Sequence, residues 1–373
     1  MKFSIKQKVF LEHLNYVIRG ISSKNLIPIL NCIKFELKKD GLYLLSTDNE
    51  LAIKSFIPSN EIENIDIEGD LLISGKYIYD IVRKLNNEII NIEEIIDSQV
   101  LITTETSSFK LNCNSVNDFP TIDLDFTNDP ILIDKKVFKT TINQTIFATS
   151  QQESRPILTG INFKINGNIM EVTATDSYRL SKKKITLNNN IKDNVDIIIP
   201  SKNLYEIIKL MSDDDGSMEI HVFANKVIFK INNLIVMTRL INGNYPDTNK
   251  LIPDSFELKI KLNLDNFYNA IDRASLLTNA EEKNIIKLET KGDIMILSSN
   301  IPEIGNVEEK IKIDKDSSSD IKISFSSKYM MDALKTFESE EIEICFNGEI
   351  KPIILNYVDN SDLTQLILPI RTY

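Results

Sequence analysis

The chain has 373 residues, of which 42% are hydrophobic and 26% charged, and its formal net charge is −11. This composition is typical of a globular protein, and no apolar run approaches the roughly 18 residues of a membrane-spanning helix. The acidic total argues against general affinity for nucleic acid. Three cysteines, Cys32, Cys113 and Cys345, do not make a disulfide framework, which favours the reducing cytoplasm.

Helical and alternating apolar patterns follow one another from the N-terminus. Apolar spacing predicts a helix over residues 8–18, then strands over 32–37, 42–46 and 51–56. An i, i+3, i+4, i+7 apolar stripe predicts a second helix over 76–85. Three more strands close the unit, most clearly in the second part of the chain, at 219–223, 227–231 and 234–240. Short strands in meanders with one helix per half indicate an α+β fold, with helices on one face of antiparallel sheets.

The helix at 76–85 recurs at 202–211 and at 328–337, each copy 126 residues further on. Lys76, Lys202 and Lys328 superpose, and so do the apolar positions of the three copies. Three such periods account for the whole chain, and each copy has the size of a domain rather than of a solenoid unit. We therefore predict three domains of one fold, over residues 1–126, 127–253 and 254–373.

Motifs that would carry catalysis are missing from the sequence. It contains no glycine-rich phosphate loop and no GxSxG, HExxH or CxxC motif. The two histidines lie in different copies, and we expect His13 on a helix flank and His221 on an exposed strand face. The sequence therefore predicts no catalytic residue, no metal site and no cofactor, and it favours a scaffold over an enzyme.

Charge is distributed unevenly along the chain. Five of the six predicted helices carry a net positive charge although the whole chain is acidic, so the strands and loops must be strongly acidic. One interpretation is a solvated helix face on which each repeated lysine pairs with the acid four residues later: Lys76 with Asp80, Lys202 with Glu206, and Lys328 with Asp332. Such pairs contribute only about 0.2–0.5 kcal/mol each. Recurrence in every copy favours a shared cationic surface that faces phosphate.

Along its full length the chain resembles a known family, the bacterial DNA polymerase III β subunit or replicative sliding clamp. The resemblance lies in MKF at 1–3, LIPIL at 26–30, ATDSYRL at 174–180, NGNYPD at 242–247 and LPIRTY at 368–373. It implies three domains of two βαβββ halves each, in a head-to-tail homodimeric ring with helices inside and sheets outside. It also implies a non-catalytic processivity factor that encircles duplex DNA of any sequence, in the cytoplasm at the nucleoid and without a membrane.

The resemblance further implies a hydrophobic groove between the second and third domains that binds short peptides. Its partners would be the α subunit of the replicative polymerase, the clamp loader, repair polymerases, and mismatch-repair and ligase-type proteins. The implied groove residues are Leu158, Thr175, Tyr178, Arg179, Leu180, Pro246, Lys250, Leu251, Ile350, Pro352, Leu366, Leu368, Pro369, Ile370 and Arg371. Tyr178 replaces the histidine of many members and Lys250 the arginine of some. The alternative for Leu158, Leu180 and Leu366 is that they belong to the core.

Two further residue sets follow from the resemblance. The implied DNA-facing residues are Lys24, Lys76, Arg83, Lys202, Lys209, Lys328 and Lys335. The implied dimer interface joins an edge strand at Phe109, Lys110 and Leu111 to Leu276, Leu277 and a strand over 300–310 in the third domain of the other subunit. Pairing of edge strands across subunits would leave no strand edge exposed.

Two other classes of protein remain open on the residues alone. An enzyme or metabolite-binding protein on a triplicated fold predicts clustered His, Asp or Cys residues in one copy, and none is found. A structural adaptor that never meets nucleic acid would not need basic helices.

Overall fold

A computed structural model describes residues 1–22, 27–95, 98–212, 215–279 and 284–371. Lys24, part of the 26–30 motif and the last two residues therefore lie outside the described chain. The helices are α1 Gln7–Val17, α2 Gly75–Lys84, α3 Lys135–Thr145, α4 Ser201–Lys209, α5 Leu264–Ser275 and α6 Ser327–Leu334. The repeat is confirmed, because α2, α4 and α6 begin at equivalent positions of the 126-residue period.

The strands of the first third are β1 Lys2–Lys6, β2 Cys32–Lys38, β3 Gly41–Thr47, β4 Leu51–Pro58, β5 Ile62–Ile67, β6 Gly69–Ser74, β7 Ile89–Ile95, β8 Gln99–Thr103 and β9 Ser108–Asn114. Those of the middle are β10 Ile131–Asp134, β11 Gly160–Thr175, β12 Arg179–Pro200, β13 Ser217–Val222, β14 Lys226–Ile231 and β15 Leu234–Arg239. The last third contains β16 Leu258–Asn263, β17 Ile285–Lys291, β18 Ile294–Ile301, β19 Gly305–Lys312, β20 Asp314–Lys315, β21 Lys322–Ser326, β22 Glu341–Phe346, β23 Ile353–Tyr357 and β24 Asn360–Ile367.

The order of elements confirms an α+β fold built from βαβββ halves. In the first third, β1-α1-β2-β3-β4 is followed by β6-α2-β7-β8-β9, and the last third repeats both halves around α5 and α6. In the middle third the strands run together into the long β11 and β12, and the register of β11 breaks at Gly167, where φ is +62°. A glycine tolerates this left-handed conformation without a steric penalty.

One compact unit comprises residues 1–135 and 206–240. Its thirteen-stranded sheet has the order β10-β13-β14-β15-β4-β3-β2-β6-β9-β8-β7-β1-β5. Helices α1 and α2 pack together, and the rings of Phe3, Phe10 and Phe35 form edge-to-face contacts in the core. The buried positions Ile78 and Val82 explain why α2 forms: one apolar stripe of this helix is removed from water.

The other compact unit comprises residues 136–205 and 241–373. It contains a seven-stranded sheet, β11-β12-β24-β23-β22-β16-β20, and a four-stranded sheet, β19-β18-β17-β21. Helices α5 and α6 pack together, and their buried residues Phe267, Ile271 and Met330 join one apolar cluster with residues of both sheets. Asn263 begins α5 by accepting a hydrogen bond from the backbone N–H of Asn266, a standard helix cap.

The histidines and cysteines have structural surroundings. The expected exposed position of His221 is wrong: it is only 3% exposed, with its ring 4.3 Å from that of Phe126. His13 on α1 is also buried, and burial lowers its pKa. Burial raises the pKa of the Cys113 thiol to about 11 and that of Cys345 to about 12, so both stay protonated and unreactive at neutral pH.

No three His, Cys, Asp or Glu side chains in the described ranges are grouped so that they could hold a metal ion. No helix in the described chain has the length and apolarity needed to cross a membrane.

Candidate functional site

The ATDSYRL motif forms a tight turn between β11 and β12. Ser177 adopts φ +77°, a left-handed conformation that is uncommon for a residue with a side chain. The turn is held by Asp176 Oδ1, which accepts hydrogen bonds from the backbone N–H groups of Tyr178 (2.9 Å) and Arg179 (3.0 Å). Thr175 Oγ1 donates to the carbonyl of Arg179 at 2.7 Å. The conformation is therefore determined by local hydrogen bonds.

The same turn occurs in the first third of the chain. Asp48 Oδ1 accepts from the backbone N–H of Leu51, and Thr47 Oγ1 donates to the Leu51 carbonyl. Asn49 adopts φ +75° there, as Ser177 does at the equivalent position. Thr175 is itself buried. Thr175 therefore shapes the turn. The residues that follow Thr175 distinguish the turn in the second third of the chain from the turn in the first third.

Arg179 is the most constrained side chain of this region. Its Nε donates to Asp176 Oδ2 at 3.1 Å and its Nη1 donates to Asp332 Oδ2 of α6 at 2.7 Å. The guanidinium lies 5.1 Å from the ring centre of Phe147 and 4.6 Å from that of Tyr329. Only 11% of the side chain is exposed, so Arg179 positions the turn rather than presenting its charge to a ligand.

An apolar cluster lies beside this turn on one face of the seven-stranded sheet. Leu180 pairs with Leu366 across the β12–β24 ladder, and Leu366 pairs with Ile354 on β23. Together with Cys345 they form a buried cluster, against which Ile252 and Phe256 pack. Leu180 and Leu366 are therefore buried, as the core alternative expects, and they form part of an apolar floor on this face of the sheet.

Four exposed residues lie within four positions of these cluster residues along the chain. Tyr178, Leu251, Ile350 and Leu368 are all large, apolar and exposed to solvent. The chain end is held in place because Leu368 N donates to the Tyr178 carbonyl at 2.9 Å and Ile370 N donates to the Ser324 carbonyl at 2.7 Å. Lys250 and Pro246 are exposed, and Pro352, Pro369 and Ile370 are half-buried. An apolar rim over a buried floor suits a short hydrophobic peptide.

Two expected groove residues lie apart from this cluster. Leu158 packs with Ile198 and Tyr245 in a separate apolar cluster. Arg371 lines a polar cavity of about 820 Å³, with Ser299 and Asn306 among its other residues.

Sequence reasoning missed Phe147, Tyr329, Asp332 and Tyr245 as supports of the turn. Tyr245 is buried and its hydroxyl accepts a 3.0 Å hydrogen bond from Thr175 N, while burial raises its pKa. The only available signal was its place in the NGNYPD motif. Tyr329 stacks on Tyr178 at 6.4 Å, a contact that no local pattern predicts.

The repeated helices carry the second predicted surface. Lys76, Lys202 and Lys328 stand at the second position of α2, α4 and α6 and are exposed. Arg83 on α2 and Lys209 on α4 are also exposed, as is Lys335, the residue that follows α6. The ammonium of Lys335 lies 5.8 Å from the ring centre of Tyr268.

The alternative interpretation, in which these lysines pair with the acids four residues later, is wrong. Each acid is held instead by an arginine: Asp80 by Arg83 at 2.9 Å, Glu206 by Arg19 at 2.9 Å, and Asp332 by Arg179 at 2.7 Å. Glu206 also accepts from Lys209 at 3.1 Å. Within the described chain, the ammonium groups of Lys76, Lys202 and Lys328 take no carboxylate partner.

The position of these lysines is unfavourable for the helices themselves. A helix N-terminus carries a partial positive charge and is stabilised by acidic side chains. Helices α2, α4 and α6 have no acidic residue in the first turn and a lysine there instead. A cation against the dipole in all three copies therefore indicates a requirement other than helix stability.

Two strand edges are available for pairing with another chain. Along residues 108–112, β9 pairs with β8 alone in the described structure, and β19 pairs with β18 alone. The predicted strand over 300–310 is displaced: residues 300 and 301 end β18, and the edge strand begins at Gly305. Beside it, Leu276 is 77% and Ile304 71% exposed, and Leu277 is half-buried.

Comparison with known proteins covers the whole chain. Residues 1–123, 132–247 and 249–371 match the family models for the N-terminal, central and C-terminal domains of the DNA polymerase III beta subunit. The beta sliding clamp of Staphylococcus epidermidis is 40% identical over 377 residues, covering 100% of both chains. The crystal structure of the DNA polymerase sliding clamp from Bacillus subtilis is 36% identical with a TM-score of 0.97, again over 100% of both chains. The beta chain from Streptococcus pneumoniae is 36% identical with a TM-score of 0.95, also over 100% of both chains.

Proposed function

We propose, since this chain belongs to the DNA polymerase III beta subunit family, that two copies join head to tail in a ring around duplex DNA. The chain is a sliding clamp, a processivity factor and non-catalytic accessory subunit of a DNA polymerase. In the proposed ring the helices face the DNA and the sheets face outwards. An acidic outer surface would repel DNA, so the ring would be retained by topology rather than by tight binding.

The observation that carries the DNA-facing assignment is the exposed first-turn lysine of α2, α4 and α6, without a carboxylate partner in the described chain. A contact between lysines and phosphates is independent of sequence and is weakened by salt. Arg83, Lys209 and Lys335 extend the same surface. Lys24 stays a sequence-based expectation.

For the groove we propose that the rim of Tyr178, Leu251, Ile350 and Leu368 takes up hydrophobic side chains of short linear peptides. The proposed owners of these peptides are the polymerase α subunit, the clamp loader, repair polymerases, and mismatch-repair and ligase-type proteins. All would compete for one site. Because such a peptide buries little area, we expect micromolar affinity, about 8 kcal/mol.

We propose domain boundaries near residues 126 and 253, which agree with the ends of the matched family segments to within about ten residues. The proposed location of the protein is the cytoplasm, at the bacterial nucleoid. The three cysteines are free, as in reducing compartments.

Topological retention predicts a dependence on DNA ends. Protein loaded onto closed circular duplex DNA should stay bound through gel filtration in high salt, because sliding cannot release a closed ring. Cutting the same DNA once should release nearly all of it. Protein that stays on linear DNA would be bound by affinity, which would contradict the proposal.

Replacing Lys76, Lys202 and Lys328 together by alanine should weaken DNA contact while making the helices more stable. The salt dependence of binding to a short duplex, measured by fluorescence anisotropy, should lose about 2–3 units of slope in log K against log [salt]. The melting temperature should rise, because a cation is removed from each helix N-terminus.

The matched control replaces three other lysines by alanine: Lys39, Lys192 and Lys322. They are exposed, lie outside the helices and are found one in each third of the chain. The control removes the same charge and should leave the slope near that of the wild type. Equal losses in both triple variants would show that net charge alone governs binding, and the helices would lose their assigned role.

A further inference from the structure

The acidic residue within each repeated helix is neutralised, and in two copies the arginine comes from elsewhere in the chain. Arg179 reaches Asp332 of α6 from 153 residues away, and Arg19 reaches Glu206 of α4 from 187 residues away. In α2, Arg83 pairs with Asp80 within the helix. The pairing thus recurs although the source of the arginine differs each time.

The position of Asp332 explains why its neutralisation matters. It stands four residues after Lys328 and three before Lys335, so helical geometry places all three on neighbouring positions of one face. A carboxylate released there would attract either ammonium group and would repel phosphate. Arg179 prevents this by holding Asp332 Oδ2 at 2.7 Å.

Arg179 is suited to act indirectly. Its side chain is 11% exposed and bonded to Asp176, and its guanidinium contacts the rings of Phe147 and Tyr329. It is therefore poorly placed to contact DNA phosphate. Its positive charge instead forms an ion pair with Asp332.

We propose that Arg179 is a positioning residue of the DNA-facing surface, which keeps Lys328 and Lys335 available to phosphate by sequestering Asp332. The inference rests on the proposed function, which places α6 against DNA. Arg179 also shapes the turn that carries Tyr178, so the peptide groove and the DNA-facing helix share one side chain. Arg19 has the corresponding role for Lys202, although Lys209 shares Glu206 with it.

The test measures binding of the full-length protein to a short duplex by fluorescence anisotropy over a series of low salt concentrations. Arg179→Gln should bind several-fold more weakly, with the salt slope reduced by about 1–2 because lysines turn to Asp332. Adding Asp332→Asn should restore both affinity and slope. A purely structural role of Arg179 would not be rescued by removing the charge of its partner.

A single Asp332→Asn variant keeps the inference testable even where Arg179→Gln fails to fold. It should bind at least as tightly as the wild type, and weaker binding would overturn the inference. Arg155→Gln is the matched control, since Arg155 is exposed, contacts Ser177 of the same turn and is not bonded to Asp332 in the described structure. It should change the slope much less than Arg179→Gln.

Two failures are distinguishable. If the variant lacking Lys76, Lys202 and Lys328 binds like the wild type, the DNA-facing assignment itself is wrong. If that variant is weakened while Arg179→Gln is not, or while the double variant stays weak, only the role of Arg179 is wrong.

Discussion

Replacing Leu276 and Leu277 by aspartate should convert the proposed dimer into folded monomers. Leu276 is exposed in the single chain and lies just after α5, which packs against β19, the edge strand proposed to pair with β9 of the other subunit. Carboxylates buried in an apolar contact without partners would weaken association by several kcal/mol. Sedimentation equilibrium should therefore report the mass of one chain at concentrations where the wild type is dimeric.

The circular dichroism melt should change little, because these side chains are not part of the core. Ile169→Asp is the control, since Ile169 is an exposed apolar residue on β11, which belongs to a different sheet from either β9 or β19. It should leave the dimer intact. A variant at Leu276 and Leu277 that still sediments as a dimer would place the interface elsewhere. The monomers should also fail to stay on circular DNA.

Truncation after Ile367 should abolish peptide binding while the ring still forms. The removed segment includes Leu368, which contributes to the groove rim and donates to the Tyr178 carbonyl. The strand β24 ends at Ile367, so the ladders with β12 and β23 stay complete. Affinity for a short hydrophobic clamp-binding peptide should fall from micromolar to undetectable by isothermal titration calorimetry, a loss of at least about 2.7 kcal/mol for a hundredfold change.

A milder variant separates the groove from the chain end. Leu251→Ala removes one rim side chain on another segment and should weaken the same peptide by about tenfold, as for a single apolar anchor. Leu158→Ala tests whether the separate cluster of Leu158, Ile198 and Tyr245 contributes to peptide binding. Wild-type affinity in the truncated protein would show that the peptide binds elsewhere, even though dimer and DNA retention are preserved.

The periodic elements were determined by the sequence alone. The apolar stripe of α2 and its copies in α4 and α6 predicted three helices, because a stripe at 3.6-residue spacing can be buried only as a helix. Asn232 lies in the two-residue turn between β14 and β15, and Asp359 in the one between β23 and β24, and both adopt positive φ. Local sequence suffices for such features because the forces that produce them act within a few residues.

The partners of side chains were decided by the tertiary structure. The spacing allowed Lys328 to pair with Asp332, which was one of two interpretations, but Arg179 takes the carboxylate from 153 residues away. Alternation along a strand shows which residues share a face, but it does not show which face is covered by other segments. His221 was therefore expected to be exposed, whereas it is buried against Phe126. Likewise Leu180 and Leu366 form a floor because Ile252 and Phe256 pack on that side of the sheet. Such contacts depend on where distant segments meet, and no local pattern contains that information.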